Sequence, residues 1–164
     1  MSLHVAETVL PYARQLVFDL VADIESYPLF LRHVAAARIT RRDGNVLWVE
    51  QEVRVRPLRA VFHTRAVLDP PSGIQVVCAD SPLGAFTDDW SFADAPGGGT
   101  RLRCRTEYEF RSALVRATLG AVLGEVLHST VRAFEARARQ LYGSGAGRTP
   151  RAPAAPPGAA RRGA

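Results

Sequence analysis

Apolar and polar residues alternate along most of this chain with the two-residue period of β-strands. The last long element changes to the 3.6-residue period of a helix. The alternation is cleanest over residues 100–111, where Leu102, Cys104, Thr106, Tyr108 and Phe110 face one way and Arg101, Arg103, Arg105, Glu107, Glu109 and Arg111 the other. Residues 46–56 repeat the pattern, with Leu47, Val49, Val53 and Val55 opposite Trp48, Glu50, Glu52, Arg54 and Arg56. Phe62, Thr64, Ala66 and Leu68 share one side of a strand over 60–68, and Phe86, Asp88, Trp90 and Phe92 share one side of another over 86–92. Shorter strand signals cover 2–8, 34–42 and 74–79. Turn residues separate them: Asp43-Gly44, Pro70-Pro71-Ser72-Gly73, Pro82-Leu83-Gly84 and Gly97-Gly98-Gly99.

The helical pattern runs from 113 to 142. On a wheel centred at Leu119, Val115, Val122, Leu123, Val126, Thr130, Phe134 and Leu141 form one stripe, while Glu125, His128, Arg132, Glu135 and Arg139 lie opposite. Ser112 is a good N-cap and Gly143 a good stop. Thirty residues at about 1.5 Å each make a helix roughly 45 Å long, which must bury its stripe against something large. A first, shorter helix is predicted over 12–22, with Pro11 in its first turn and Pro28 as its breaker. Leu29, Phe30 and Leu31 then form a very short apolar turn. A charged outer face and an apolar inner face mark an antiparallel sheet that is wet on one side. The predicted architecture is therefore α+β: a curved antiparallel sheet gripping the long C-terminal helix as one domain over 1–143. Any gap between sheet and helix becomes an apolar pocket, roofed by the 28–31 turn.

After Gly143 the composition shifts to Gly, Ala, Pro and Arg, which predicts a disordered tail over 144–164. That tail accounts for most of the net charge of +5, because it holds Arg148, Arg151, Arg161 and Arg162 and no acid. The domain before it is close to neutral. This argues against DNA and other phosphate-tracking partners, which need basic residues clustered on the domain. No apolar run approaches the ~20 residues of a membrane span, and MSLHVAET has no basic segment followed by an apolar core, so the chain reads as cytosolic. Cys78 and Cys104 sit in strand-like segments and read as core residues. With the four histidines scattered, no metal site is predicted.

The segment Phe18-Asp19-Leu20-Val21-Ala22-Asp23-Ile24-Glu25-Ser26-Tyr27-Pro28 resembles the START-like (helix-grip) family, which includes coenzyme Q-binding proteins and the RatA ribosome-association toxins. Supporting motifs follow in order: Phe30-Leu31, Phe62-His63-Thr64-Arg65, Trp90-Ser91-Phe92, Tyr108-Glu109-Phe110, and Ala133-Phe134-Glu135-Ala136-Arg137-Ala138 running into Leu141-Tyr142-Gly143. Two stretches depart from the family pattern. Arg32-His33-Val34 stands where a proline is usual, and the turn through Pro82-Leu83-Gly84-Ala85-Phe86 is longer. The resemblance implies non-catalytic binding of a hydrophobic ligand, a polyprenyl quinone such as ubiquinone, in support of respiratory electron transport. It also implies peripheral contact with the inner membrane. Its alternatives are a toxin that binds the large ribosomal subunit and blocks subunit association, and a cyclase or aromatase on the same fold.

The expected ligand-binding residues are Phe30, Leu31, Val53, Phe62, Thr64, Phe86, Asp88, Trp90, Tyr108, Leu119, Leu123 and Val126. No catalytic residue and no cofactor beyond the ligand is expected: there is no nucleophile elbow, paired carboxylate or phosphate loop. Asp88 alternates in phase with Phe86, Trp90 and Phe92. Pointing inward, it would have a raised pKa and acid–base capacity; at a bulge or the pocket mouth it would simply be solvated. His33 either meets a polar head group or is an ordinary surface histidine. Gly120 and Gly124 each cost about 1 kcal/mol in a helix interior, and mark close approach to a ligand, to the roof, or to tight packing.

Overall fold

The computed structural model describes residues 1–81 and 84–143. Strand β1 (Ser2–Leu10) leads into helix α1 (Arg14–Ala22) and a 3-10 turn (Ile24–Leu29). A meander follows: β2 (Val34–Asp43), β3 (Val46–Val55), β4 (Leu58–Asp69), β5 (Gly73–Ser81), β6 (Gly84–Asp94) and β7 (Thr100–Phe110). Helix α2 (Ala113–Tyr142) closes the fold. Every strand agrees with the expected one to within two residues at each end. The tail expected over 144–164 and the turn residues Pro82 and Leu83 lie outside the described residues.

The strands form one seven-stranded antiparallel sheet in the order β1-β7-β6-β5-β4-β3-β2. Each strand of the meander pairs with its sequence neighbour, while β1 crosses to pair with β7. The concave face is apolar and α2 lies across it, which is the expected helix-grip arrangement. The convex face carries mixed charge: Glu52 accepts from Arg54 and Arg59 at 2.7 and 2.6 Å, and Glu50 lies 3.5 Å from Arg38 and 3.3 Å from His63.

Helix α1 starts after Ala13, so Pro11 precedes it instead of occupying its first turn. The helix ends at Asp23, whose amide bonds the Asp19 carbonyl, five residues before Pro28. The backbone bend at Asp23 stops it, and Pro28 sits inside the 3-10 turn. In α2, Ser112 Oγ accepts from the Val115 amide at 3.2 Å, and Gly143 ends the helix with φ +79°. The buried residues of its C-terminal half are Val131, Phe134 and Ala138, with Leu141 49% exposed. The stripe is rotated here because Tyr142 packs its ring edge-on against Tyr12 at 5.4 Å and turns Leu141 outward.

The core is strongest where α1, the 3-10 turn and the C-terminal half of α2 meet the sheet. Phe134 is its centre, with the rings of Tyr27, Phe30 and Trp90 edge-on to it at 5.4, 5.2 and 5.3 Å. A second, smaller cluster of Val53, Ala60, Phe62 and Cys78 packs with Val55, Leu58 and Phe86. Between the two clusters the N-terminal half of α2 stands off the sheet, and none of its residues before Val131 is fully buried.

Candidate functional site: an apolar cavity with a polar row

The gap left by α2 is a cavity of about 200 Å³. Its walls come from the concave faces of the strands, from the 3-10 turn and from Leu119, Val122, Leu123, Val126 and Leu127 of α2. Partly exposed Val55, Leu58 and Leu119, with exposed Ala85, mark its mouth. Gly84 shapes this end of the wall. Its φ is +138°, and a Cβ there would stand 1.8 Å from the Glu109 carbonyl oxygen, so only glycine lets β6 start so close to β7.

Of the expected ligand-binding residues, Leu31, Val53, Phe62, Thr64, Phe86, Asp88, Trp90, Tyr108, Leu119, Leu123 and Val126 all line this cavity. Phe30 does not reach it. Its ring is taken up by packing on Phe134 and Tyr27, with the Arg137 guanidinium 5.5 Å from its centre. The 28–31 turn, expected as the roof, is held to its neighbours. Leu31 is buried, its amide bonds the Tyr27 carbonyl at 2.8 Å, and the Tyr27 hydroxyl donates to the Val21 carbonyl at 2.5 Å. Gly120 and Gly124 do not mark close packing. A Cβ at Gly124 would meet nothing within 4 Å, and one at Gly120 would make ordinary contact with Phe110.

Polar side chains are a minority on this wall, and several are already satisfied. The central ones form a row across three strands, because the register sets His4 beside Thr106 and Thr106 beside Asp88. The ladder from Gly84 to Asp94 runs without a bulge, so Asp88 keeps its inward phase. Thr106 Oγ1 donates to Asp88 Oδ1 at 2.6 Å, and the Cys104 thiol lies 3.7 Å from the same hydroxyl. Burial pushes the Asp88 carboxyl up to about 6, against the opposing pull of the Thr106 hydrogen bond. Burial and then the neighbouring Asp88 charge hold Tyr27 and Cys104 well above their ordinary values, so both stay neutral.

His4 Nε2 is different. It is buried without a hydrogen-bond partner among the described residues, a condition that costs about 1–3 kcal/mol when nothing else satisfies the atom. His33 also lines the cavity, half-buried, and burial lowers its pKa. His63 lies on the convex face beside Glu50, and His128 is exposed on α2. Sequence reasoning missed His4, Tyr27 and Thr106. Thr106 was legible from its phase with Cys104 and Tyr108. His4 was not, because the apolar residues of β1 that would set the phase, Leu3, Val5 and Val9, point to solvent.

Chemically, the cavity offers apolar contact, a carboxyl acceptor and the imidazoles of His4 and His33, which can donate or accept according to tautomer. Among the described residues no cluster of His, Cys, Asp and Glu could hold a metal ion, and Cys78 and Cys104 are free buried thiols. No helix among them is long and apolar enough to cross a membrane.

A family model described as "Polyketide cyclase / dehydrase and lipid transport" matches residues 10–135. The ribosome association toxin RatA of Pseudomonas aeruginosa is 31% identical over 87% of this chain and 100% of its own length. A mitochondrial coenzyme Q-binding protein, COQ10 homolog B of Xenopus laevis, is 26% identical over 82% of this chain and 57% of its own length. Among solved structures, an aromatase/cyclase from a Streptomyces species superposes with a TM-score of 0.78 at 18% identity, covering 88% of this chain and 98% of that one, which is a likeness of fold. With its seven-stranded curved sheet, its long closing helix and this match over most of its length, the chain belongs to the polyketide cyclase/dehydrase and lipid transport family.

Proposed function

We propose that this protein binds an apolar ligand in the cavity without transforming it, and that the ligand is a polyprenyl quinone of the ubiquinone type. The observation that carries the reading is the cavity itself. A fold that closes one half of α2 onto Phe134 and leaves the other half off the sheet keeps about 200 Å³ open against an almost wholly apolar wall, the usual form of a small-molecule site. A cavity of roughly 150 Å³ takes a benzene ring, so this one takes a ring and the start of a tail, and the rest of a polyprenyl chain leaves through the mouth. Peripheral contact with a membrane would deliver such a ligand. The quinone rests on the resemblance to coenzyme Q-binding proteins, one of which is among the relatives.

A second reading has its own support. The RatA relative matches across its whole length, which favours association with the large ribosomal subunit. Around Glu50 and Glu52 the convex face pairs acids with arginines, which weakens the case for an RNA-binding surface there. The cyclase reading has the description of the family model and a likeness of fold behind it. Native mass spectrometry of the purified chain, followed by lipid extraction, tests the first reading: a retained quinone is expected. A protein that carries no lipid, takes up none when offered quinone, and shifts purified large subunits on a sucrose gradient would transfer the case to the ribosome.

A further inference from the structure

The cavity is not uniformly greasy, and its polar row has a direction. Thr106 has one hydroxyl proton and spends it on Asp88. Tyr27 spends its proton on Val21, and Thr130 Oγ1 donates to the Val126 carbonyl at 2.7 Å. Within this row, two groups keep unused hydrogen-bonding capacity. Asp88 makes no hydrogen bond through its second oxygen among the described residues, and His4 Nε2 has none at all. They stand on β6 and β1, two strands apart, so their backbones are separated by about 9.5 Å. Tyr27 and Trp90 also line the cavity.

We propose that His4, Thr106 and Asp88 form a head-group site for a hydroxylated ring, phenol or hydroquinone in class, which donates a hydroxyl to Asp88 and meets His4 Nε2 with a second polar atom while its apolar tail runs along α2 toward the mouth. This inference rests on the cavity-binding reading above and adds a redox preference to it. An ionised carboxylate only accepts hydrogen bonds. A hydroquinone brings donors to it, whereas a quinone brings only carbonyl oxygens, whose lone pairs oppose those of Asp88. Thr106 strengthens this selection, since its hydrogen bond favours the ionised carboxylate. The site therefore holds the reduced ring better than the oxidised one, and either better than a bare hydrocarbon.

The test is anaerobic titration calorimetry of the full chain at neutral pH with three probes: a trimethyl-hexyl hydroquinone, the corresponding quinone, and the matching trimethyl-hexyl benzene. Full ring substitution keeps the Cys104 thiol from adding to the quinone. The hydroquinone is expected to bind about ten-fold more tightly than the quinone, the range of one hydrogen bond to a charged group. In Asp88→Asn the preference should collapse, because an amide serves donor and acceptor alike. In His4→Leu both oxygenated rings should weaken several-fold while the hydrocarbon does not. If Asp88→Asn does not fold, the wild-type preference and His4→Leu still decide. Equal binding of all three probes overturns the head-group site and leaves the apolar cavity standing. A preference for the quinone also overturns it. No binding by any probe overturns the cavity reading, and this inference with it.

Discussion

Val126→Phe separates a true cavity from a sealed core. Val126 projects from α2 into the gap and is only partly buried. Replacing isopropyl by benzyl adds about four carbon atoms. In a close-packed interior such overpacking costs about 1–3 kcal/mol. Here the added ring enters about 200 Å³ of free space, and about 150 Å³ suffices for benzene. Burial of the added carbons gains up to about 2–3 kcal/mol, which offsets the side-chain entropy lost. The net change is expected to be small and of either sign. At about 2–4 °C per kcal/mol for a chain of this size, the melting temperature should stay within about 3 °C of wild type. Ala138→Leu is the control on the same helix: Ala138 is fully buried and off the cavity wall, so it should melt several degrees lower. Thermal unfolding followed by circular dichroism gives both numbers, and lipid extraction of the same preparations shows whether the benzyl group has displaced the ligand. If Val126→Phe loses as much stability as Ala138→Leu, α2 is sealed onto the sheet and the reasoning fails.

Asp88 predicts a pH dependence. Its folded-state value of about 6, against an ordinary 3.8, means that the folded chain holds this proton more tightly than the unfolded chain does. The ionised form therefore costs stability above about pH 6, and the cost, on the order of 3 kcal/mol, is relieved as pH falls toward 3.8. The groups near it are neutral Tyr27 from the 3-10 turn, Cys78 from β5, Cys104 and Thr106 from β7, and His4 from β1, with Asp89 as its charged neighbour. Asp88→Asn should melt higher than wild type in mildly alkaline buffer, with the gap closing on acidification; an unchanged slope would show that the carboxyl is solvated. Gly124→Ala should raise stability by about 1 kcal/mol, measured in urea, since its Cβ meets open space; a loss would place an unseen neighbour there. Phe134→Ala should cost about 3–5 kcal/mol, because three rings lose their common partner, and a cost below about 1 kcal/mol would shift the core elsewhere. We propose that the domain ends at Gly143, so truncation after it should leave the melting temperature nearly unchanged.

Strands β3, β4, β6 and β7 were legible because one face of each is charged and the other must be buried; the register then follows from the two-residue period. Asp88 could be aimed inward by the same argument, whereas its unshared oxygen depends on what stands on β1 and β7, and no local pattern reports that. On β1 the usual rule inverts: Leu3, Val5 and Val9 are 57, 43 and 52% exposed, and the inward positions hold His4, Ala6 and Thr8. A histidine among exposed valines looks like surface until its partner strand is known. In α2 the stripe held through Phe134 and then turned, because Tyr142 answers to Tyr12, a residue far away in sequence. The glycines of that helix misled in the other direction. They suggested close approach, but Gly124 faces space and Gly120 leaves ordinary room for a Cβ beside Phe110.

The crossing of β1 to β7 also orders events in time. Strands β2 to β7 form hairpins with their sequence neighbours and can zip as they emerge during synthesis, but Ser2 pairs with Tyr108 and His4 with Thr106. Roughly a hundred residues separate these partners, so at about 5–20 residues per second the first strand waits on the order of 5–20 s for its mate. Helix α2 arrives later still. Until then a nascent chain presents a broad, unroofed apolar sheet, the kind of surface that chaperones hold and that aggregates when they do not. Cargo that needs both His4 and the helix can be retained only by a finished chain.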